Sequence, residues 1–245
     1  MAWLKRYFRD LLGAHVDGLR AIAGLPWLFA LFIGWEFAQH VAEVQSGFFS
    51  SLEAAKAAQY DTTRSVLGWI KMIFVYVGGF FTIRYLVSQH GGTVVAPLGE
   101  AFRRYLPYIA YSLVLFALVF YAPQLVAKPQ VMTLRAVAGL SQVFIEPLLI
   151  VWIVSAATSG AISGPAQSAR VTTWLYFWAL ALFFVGRLPV NIAHQMLNKY
   201  ARGESGPVLW AMLALDAVVV GLIIAVIPAL YVRIARFIAE RRDAA

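Results

Sequence analysis

Six apolar segments, each long enough to cross a lipid bilayer, occupy most of this chain of 245 residues. A membrane-spanning helix needs roughly 20 apolar residues to cross about 30 Å of hydrocarbon. We predict such helices at residues 21–43, 65–88, 105–127, 136–158, 172–194 and 207–232. Hydrophobic residues make up 61% of the chain and charged residues only 13%. The pattern therefore predicts an all-α polytopic membrane protein with one transmembrane domain at 21–232.

The segment before the first span has the pattern of an amphipathic helix at the membrane surface. Leu4 and Phe8 recur at helical spacing, opposite the basic residues Lys5, Arg6 and Arg9. Such a helix rests its apolar face in the headgroup region, so we assign residues 1–20 to a surface helix. The alternative is an ordinary basic lead-in to the first span. Residues 233–245 are predicted to form a basic cytoplasmic tail.

The distribution of lysine and arginine predicts the orientation in the membrane. With both ends in the cytoplasm, twelve of these residues lie on the cytoplasmic side and eight on the other side. An excess on the cytoplasmic side is the general rule, so both termini are expected there. We interpret the net charge of +8 as attraction to anionic lipid headgroups. No basic groove with interleaved aromatic residues lies outside the spans, so a nucleic-acid partner is not expected.

Ionisable residues inside the predicted spans are the candidates for function, because an isolated charge there costs on the order of 2.5–3.5 kcal/mol. Glu36, His40 and Glu43 share one face of the first helix, since they are four and three residues apart. Depths counted at about 1.5 Å per residue place most of the candidates at the midplane or in the outer half. The candidate substrate-binding or ion-binding residues are Glu36, His40, Lys71, Glu146, Arg187, His194 and Asp216.

Two interpretations of this set stay open. In the first, the residues line a polar cavity in the outer half of the bundle, which binds a headgroup, a proton or an ion. In the second, they form a network of salt bridges that fixes how the helices pack. Lys71 and Arg187 have the further alternative of extending to the outer interface.

The same residues raise two further possible functions, metal binding and catalysis. Glu36, His40 and Glu43 offer nitrogen and oxygen ligands on one helix face, which suits a metal ion, although Glu43 is expected at the water boundary. A haem between His40 and His194 is a further alternative, and no cofactor is assigned. The absence of cysteine excludes disulfides and thiolate metal sites. No hydrolase, metalloprotease or nucleotide-binding motif occurs, so an enzyme is not the favoured interpretation.

A proline and three tyrosines lead to two further expectations. Pro147 directly follows Glu146, and a proline frees a backbone carbonyl that the protein must satisfy. A kink beside a buried acid resembles the broken helices with which transporters bind substrates, although prolines also occur in membrane helices without that role. Tyr105, Tyr108 and Tyr231 are expected in the aromatic belts at the membrane interfaces.

A short segment resembles a known group of membrane proteins. Pro147-Leu148-Leu149, the run from Gly164 to Thr172 and the order of six spans are similar to a bacterial group of six-helix inner-membrane proteins. That group includes the membrane domain fused to some glycerophosphodiester phosphodiesterases. The resemblance implies an α-helical protein of the bacterial inner membrane without assigned catalysis. The segment is less basic here than in that group, and no site residue is carried over.

The functional expectation is a small transporter or a lipid-handling protein with a polar cavity in the outer half of the bundle. The alternative is a non-catalytic subunit or assembly factor of a larger membrane complex, whose apolar flank is covered by another protein or a second copy. The first predicts that Glu36, Glu146 and Asp216 share a water-accessible pocket. The second predicts a sealed network of ions.

Overall fold

The computed structural model describes residues 2–58 and 61–243, and they form helices joined by short connections. The α-helices are α1 (Ala2–Gly24), α2 (Pro26–Gln45), α3 (Leu52–Ala57), α4 (Thr62–Gln89), α5 (Leu98–Phe120), α6 (Ala122–Leu125), α7 (Val131–Ala157), α8 (Pro165–Thr172), α9 (Tyr176–Tyr200) and α10 (Gly206–Asp243). Single 3-10 turns at Lys128–Gln130 and Thr173–Leu175 lead into α7 and α9. The first residue of the predicted surface helix and the last two residues of the predicted tail lie outside the described residues.

Within residues 2–58 and 61–243, five helices are long and apolar enough to cross a membrane: α4, α5, α7, α9 and α10. A sixth span results if α2 is counted together with α1, from which it is bent by 98°. With 20 residues, α2 is about 30 Å long at 1.5 Å per residue, which matches the hydrocarbon thickness of a bilayer. The prediction of an all-α polytopic membrane protein is confirmed.

Successive long helices run in opposite directions. At one end of the bundle, which we call the terminal end, Trp3 of α1 packs on Trp178 near the start of α9, with ring centroids 5.4 Å apart. At the opposite or far end, His194 near the end of α9 lies 2.8 Å from Asp216 near the start of α10. Both ends of the described chain therefore lie at the terminal end, as an even number of crossings requires.

The last helix, α10, occupies the centre of the bundle and packs against α1, α2, α4, α7 and α9. Small residues allow these backbones to approach closely, as is usual between helices in lipid. At Gly186 of α9 the approach is close, because a Cβ there would collide with the side chain of Leu230. The central position of α10 explains why its apolar residues are buried around most of its circumference.

Two helix boundaries differ from the predicted domain boundaries. The first span does not start at residue 21, because α1 continues to Gly24 and α2 begins at Pro26. Proline favours the first position of a helix, where no backbone N–H is needed, and Leu25 before it leaves the helical conformation with φ −127° and ψ 51°. At the other end, α10 continues to Asp243 with no break at residue 233, since Phe237 is buried against Trp3 of α1.

The amphipathic helix α1 buries its acidic residues against the bundle, beside apolar residues such as Ala14, while part of its apolar face points outward. Asp10 and Asp17 are almost fully buried, and Arg233 of α10 lies between them. The Arg233 Nε donates to Asp17 Oδ2 at 2.7 Å, and its Nη1 is 3.5 Å from Asp10 Oδ1. Phe8 and Leu12 face outward and are more than half exposed, which is the arrangement of a surface helix toward lipid.

Candidate functional site

At the far end, the carboxylate of Asp216 joins three helices. His40 Nε2 of α2 lies 3.0 Å from Asp216 Oδ2, and His194 Nδ1 of α9 lies 2.8 Å from Oδ1. Asn198, one helical turn after His194, donates its amide N–H to Oδ2 at 2.8 Å. Asp216 is 0% exposed. A fully buried carboxylate with this many partners fixes the relative positions of α2, α9 and α10.

The second nitrogen of His40 also meets a carboxylate. His40 Nδ1 lies 3.0 Å from Glu43 Oε2, while Glu43 Oε1 accepts from Arg64 Nε at 2.8 Å and from Gln39 Nε2 at 3.1 Å. A neutral imidazole has only one N–H. For both His40 contacts to be hydrogen bonds, one extra proton must therefore reside on the ring or on a carboxyl group. The expectation that Glu43 lies at the water boundary is wrong, because its side chain is buried.

Glu36 and Lys71 complete this group, which we call the far-end cluster: Glu36, His40, Glu43, Lys71, His194 and Asp216. Lys71 Nζ donates a hydrogen bond to Glu36 Oε1 at 3.1 Å. The same Nζ lies 3.0 Å from Glu36 Oε2, where it forms an ion pair but no hydrogen bond. Arg64, which contacts Glu43, and Lys71 bring two positive charges to the three carboxylates of the cluster. One further positive charge therefore makes the cluster and Arg64 together neutral. A protonated His40 supplies that charge.

The far-end cluster is closed to solvent on most sides. Glu36, His40, Glu43 and Asp216 are all at most 3% exposed. The connection after α2 covers them, since the ring of Phe49 lies 5.9 Å from that of His40. His194 is the most open member, with about a third of its side chain exposed.

The possible metal ligands are not the predicted set. Ligand atoms of Glu36, His40 and Asp216 all lie within 4.8 Å of one another, so Asp216 stands where Glu43 was predicted. Glu43 lies behind His40, on its other nitrogen. The carboxylate of Asp216 lies between His40 and His194, which is not the arrangement of two axial haem ligands.

Glu146 and Arg187 lie elsewhere, around a cavity of about 220 Å³ that we call the mid-bundle cavity. Glu146 is 3% exposed, and its Oε1 accepts from Tyr108 at 2.8 Å and from Tyr231. The guanidinium of Arg187 lies over the ring of Phe183, with Cζ 4.6 Å from the ring centroid. No Lys, Arg or His among the described residues forms an ion pair with Glu146. The candidate residues thus fall into two separate groups and not one.

Tyrosines make up much of the wall of this cavity. For three of them, the predicted position in the interfacial aromatic belts is wrong. Tyr105, Tyr108 and Tyr231 are 1–3% exposed inside the bundle and do not lie in an interfacial belt. Tyr76 and Gln142 complete the polar part of the lining. A buried tyrosine needs a partner for its hydroxyl. The single acid in the middle of α7 was the available signal, because hydroxyl donors should converge on it.

Each of the four internal prolines lies at the level of the mid-bundle cavity. Pro107, Pro147 and Pro189 lie inside α5, α7 and α9, next to or two residues from the lining residues Tyr108, Glu146 and Arg187. The fourth, Pro228 of α10, itself lines the cavity. Each proline removes one helical hydrogen bond. Four of the five helices around the cavity are therefore weakened at the same depth, and α4 is the one without a proline.

Comparison of this chain with known protein families, with curated proteins and with solved structures found no match. The two groups of residues are interpreted from their geometry alone, and the resemblance to six-helix bacterial inner-membrane proteins stays a prediction.

Proposed function

We propose that this membrane protein is a small transporter or lipid-handling protein that binds its ligand in the mid-bundle cavity. One observation carries the proposal: the buried carboxyl group of Glu146 lines a cavity and forms no ion pair with the described residues. Burying a charge without a counter-charge in contact is costly, and Arg187, which lines the same cavity, compensates Glu146 only at a distance. A cationic group of a ligand, or a proton, would compensate it.

The depth of the cavity supports transport. Its lining residues come from near the middle of α4, α5, α7, α9 and α10. Transporters bind substrates near the bilayer midplane, at helices whose backbone is interrupted. The prolines beside the cavity supply such interruptions, because they let the two halves of each helix move with fewer broken hydrogen bonds.

The size and chemistry of the cavity limit its ligand. At about 220 Å³ it is smaller than the roughly 300–1,000 Å³ of pockets for drug-sized molecules. A small solute, or the headgroup of a larger lipid, fits this volume. Glu146 favours a cationic group, and the rings of Tyr105, Tyr108 and Tyr231 add cation–π attraction. We therefore take small amines and quaternary ammonium compounds as the first ligands to test.

The far-end cluster supports a second candidate function, that of a non-catalytic subunit or assembly factor. Its carboxylates are buried, and each has a partner. A closed network of this kind fixes helix packing. A partner protein or a second copy would then cover the exposed apolar flank, which includes Trp174 and Phe177 of the α9 region.

For location, we propose the bacterial inner membrane, with both termini in the cytoplasm and in contact with anionic headgroups. The basic residues near the two ends, Arg9 and Arg241 among them, support this orientation through the preference of Lys and Arg for the cytoplasmic side. A C-terminal reporter that fluoresces only in the cytoplasm tests it. If a signal comes instead from a C-terminal reporter that is active only on the opposite side of the membrane, the proposed orientation is refuted.

Water access to the cavity can be tested directly, because the chain has no cysteine of its own. Gln142→Cys places a thiol in the cavity lining, and Val114→Cys places one on the exposed apolar surface of α5. A small water-soluble thiol reagent should modify Cys at 142 in membranes and leave Cys at 114 largely unmodified, since thiolates form in water and not in lipid. Equal, slow modification at both positions would refute an open cavity.

Ligand binding can be tested with choline and ethanolamine, which serve both as free solutes and as lipid headgroups. Either should raise the Tm of the purified wild-type protein and leave the Tm of Glu146→Gln unchanged. Glu36→Gln is the matched control, because Glu36 is equally buried but lies outside the cavity. A ligand-induced rise that persists in Glu146→Gln would contradict the proposal.

A further inference from the structure

We propose that Glu36, His40 and Asp216 form a binding site for a divalent transition-metal ion. His40 offers Nε2, and the two acids each offer a carboxylate oxygen, with all ligand atoms within 4.8 Å of one another. The three residues come from α2 and α10. The site is separate from the mid-bundle cavity.

The spacing of the ligand atoms fits a metal ion. Metal–ligand bonds of about 2.0–2.2 Å in a tetrahedral site place neighbouring ligand atoms roughly 3.3–3.6 Å apart. His40 Nε2 lies 3.0 Å from Asp216 Oδ2 and 3.7 Å from Glu36 Oε1, on either side of that value. The ligand atoms of Glu36 and Asp216 lie within 4.8 Å of each other, and side-chain rotations would bring all three atoms to the distances of a bound ion. Glu36 Oε2, which has no hydrogen bond, is a second available donor.

The residues behind His40 orient it as metal ligands are oriented. A metal-bound histidine usually donates its other N–H to a carboxylate, which fixes its tautomer. Glu43 Oε2 lies 3.0 Å from His40 Nδ1 and is in position to accept that proton. Glu43 is itself held by Gln39 and Arg64. With Nδ1 donating to Glu43, the Nε2 lone pair would point toward the two other carboxylates. Either a proton on Nε2 or a metal ion between these groups relieves that unfavourable contact.

The charges of the far-end cluster balance with a divalent ion. Glu36, Glu43 and Asp216 contribute three negative charges, and Arg64 with the metal ion contributes three positive charges. Lys71 is then in excess and must leave Glu36. Its side chain is 22% exposed and has a long flexible stem that can carry the ammonium group to the surface. Lys71 thus competes with the metal ion for Glu36.

The ligand types narrow the choice of metal. One imidazole and two carboxylates, without sulfur, suit Zn²⁺, Mn²⁺ or Fe²⁺ and not metals that require thiolates. His194 holds the second oxygen of Asp216 and is partly open to solvent. It therefore marks the side from which an ion enters, and it supports Asp216 as a second-layer partner.

Zn²⁺ titration of the purified, chelator-treated protein tests the site. Isothermal calorimetry should show one Zn²⁺ bound per chain, and Co²⁺ should give the visible absorption of a low-symmetry site. His40→Gln should abolish both signals, whereas His15→Gln, a histidine outside the cluster, should retain them. Glu43→Gln should weaken binding by about 10–100-fold, as loss of a supporting carboxylate usually does.

Lys71→Gln separates the metal site from a network of salt bridges. If Lys71 competes with the ion, this variant binds Zn²⁺ more tightly than the wild type, and the bound ion restores any stability that the substitution removed. The proposal is overturned if the folded wild-type protein binds no Zn²⁺, which is the result expected of a cluster that holds only a proton. Weaker binding in Lys71→Gln, or unchanged binding in His40→Gln, overturns it as well.

Discussion

Replacing Gly13 of α1 by alanine should destabilise the protein, even though alanine is the better helix former. A Cβ at this position would overlap the guanidinium of Arg233. That guanidinium cannot move without cost, because it holds the buried carboxylates of Asp10 and Asp17. Gly13 is therefore the residue that lets the arginine of α10 reach across to the acids of α1.

The magnitude follows from two opposing contributions. Alanine in place of glycine within a helix gains about 1 kcal/mol. Breaking a buried ion pair completely costs about 3–5 kcal/mol. Asp10 keeps Arg6 as a partner, and Asp17 keeps Arg20 and His90, so the lower value of about 3 kcal/mol applies. The net loss for Gly13→Ala is therefore about 2 kcal/mol. At about 2–4 °C per kcal/mol for a chain of this size, the Tm should fall by roughly 4–8 °C.

Thermal unfolding of the detergent-solubilised protein measures this change, with two controls. Gly34→Ala, where no atom lies within 4 Å of a new Cβ, should leave the Tm unchanged or slightly raised. Gly13→Ala in the background of Arg233→Met should also be harmless, because the colliding guanidinium is gone. If Gly13→Ala lowers the Tm equally in both backgrounds, the collision with Arg233 is not the cause and the reasoning fails.

Three further predictions use the same assay. Tyr231→Phe removes one hydroxyl donor from buried Glu146 and should cost about 1.5–3 kcal/mol, the usual value of a hydrogen bond to a charged group; a neutral result would contradict that bond. Gly186→Ala should cost about 1–3 kcal/mol through overpacking against Leu230, and trimming Leu230 to alanine should remove most of the penalty of the new methyl group. Asp216→Asn should cost about 3–5 kcal/mol by leaving its partners without their anion, and a loss under 1 kcal/mol would show that the cluster is not structural.

The helices and part of the candidate site could be predicted because both depend on local spacing. Residue spacing alone predicts that Glu36 and His40 of the far-end cluster share one face of a helix. The structure places both on one face of α2, and both are buried. Counting residues along a helix also gave the approximate depth of Asp216 and Glu146. Depth alone does not say which neighbour a side chain meets.

The sequence could not predict which acids meet which partners. Tyr108 and Tyr231 looked like interfacial aromatics, yet they donate to Glu146 inside the bundle. Asp10 and Asp17 belong to the segment predicted as a surface helix, yet they are buried against Arg233. In each case the partner is far away in the chain, and no periodic sequence pattern indicates which two residues meet.

By itself, the sequence determined the all-α class, the approximate positions of the long helices and the shared side of the two termini. These properties follow from hydrophobicity and helical period, which each segment carries alone. Only the tertiary structure decided that α10 lies at the centre, that α1 bends away from α2 at Leu25, and that Glu146 and Asp216 belong to different sites. The rotation of each helix about its axis is set by its packing against all the others, because a helix that is apolar on every side gives no indication of which side faces inward.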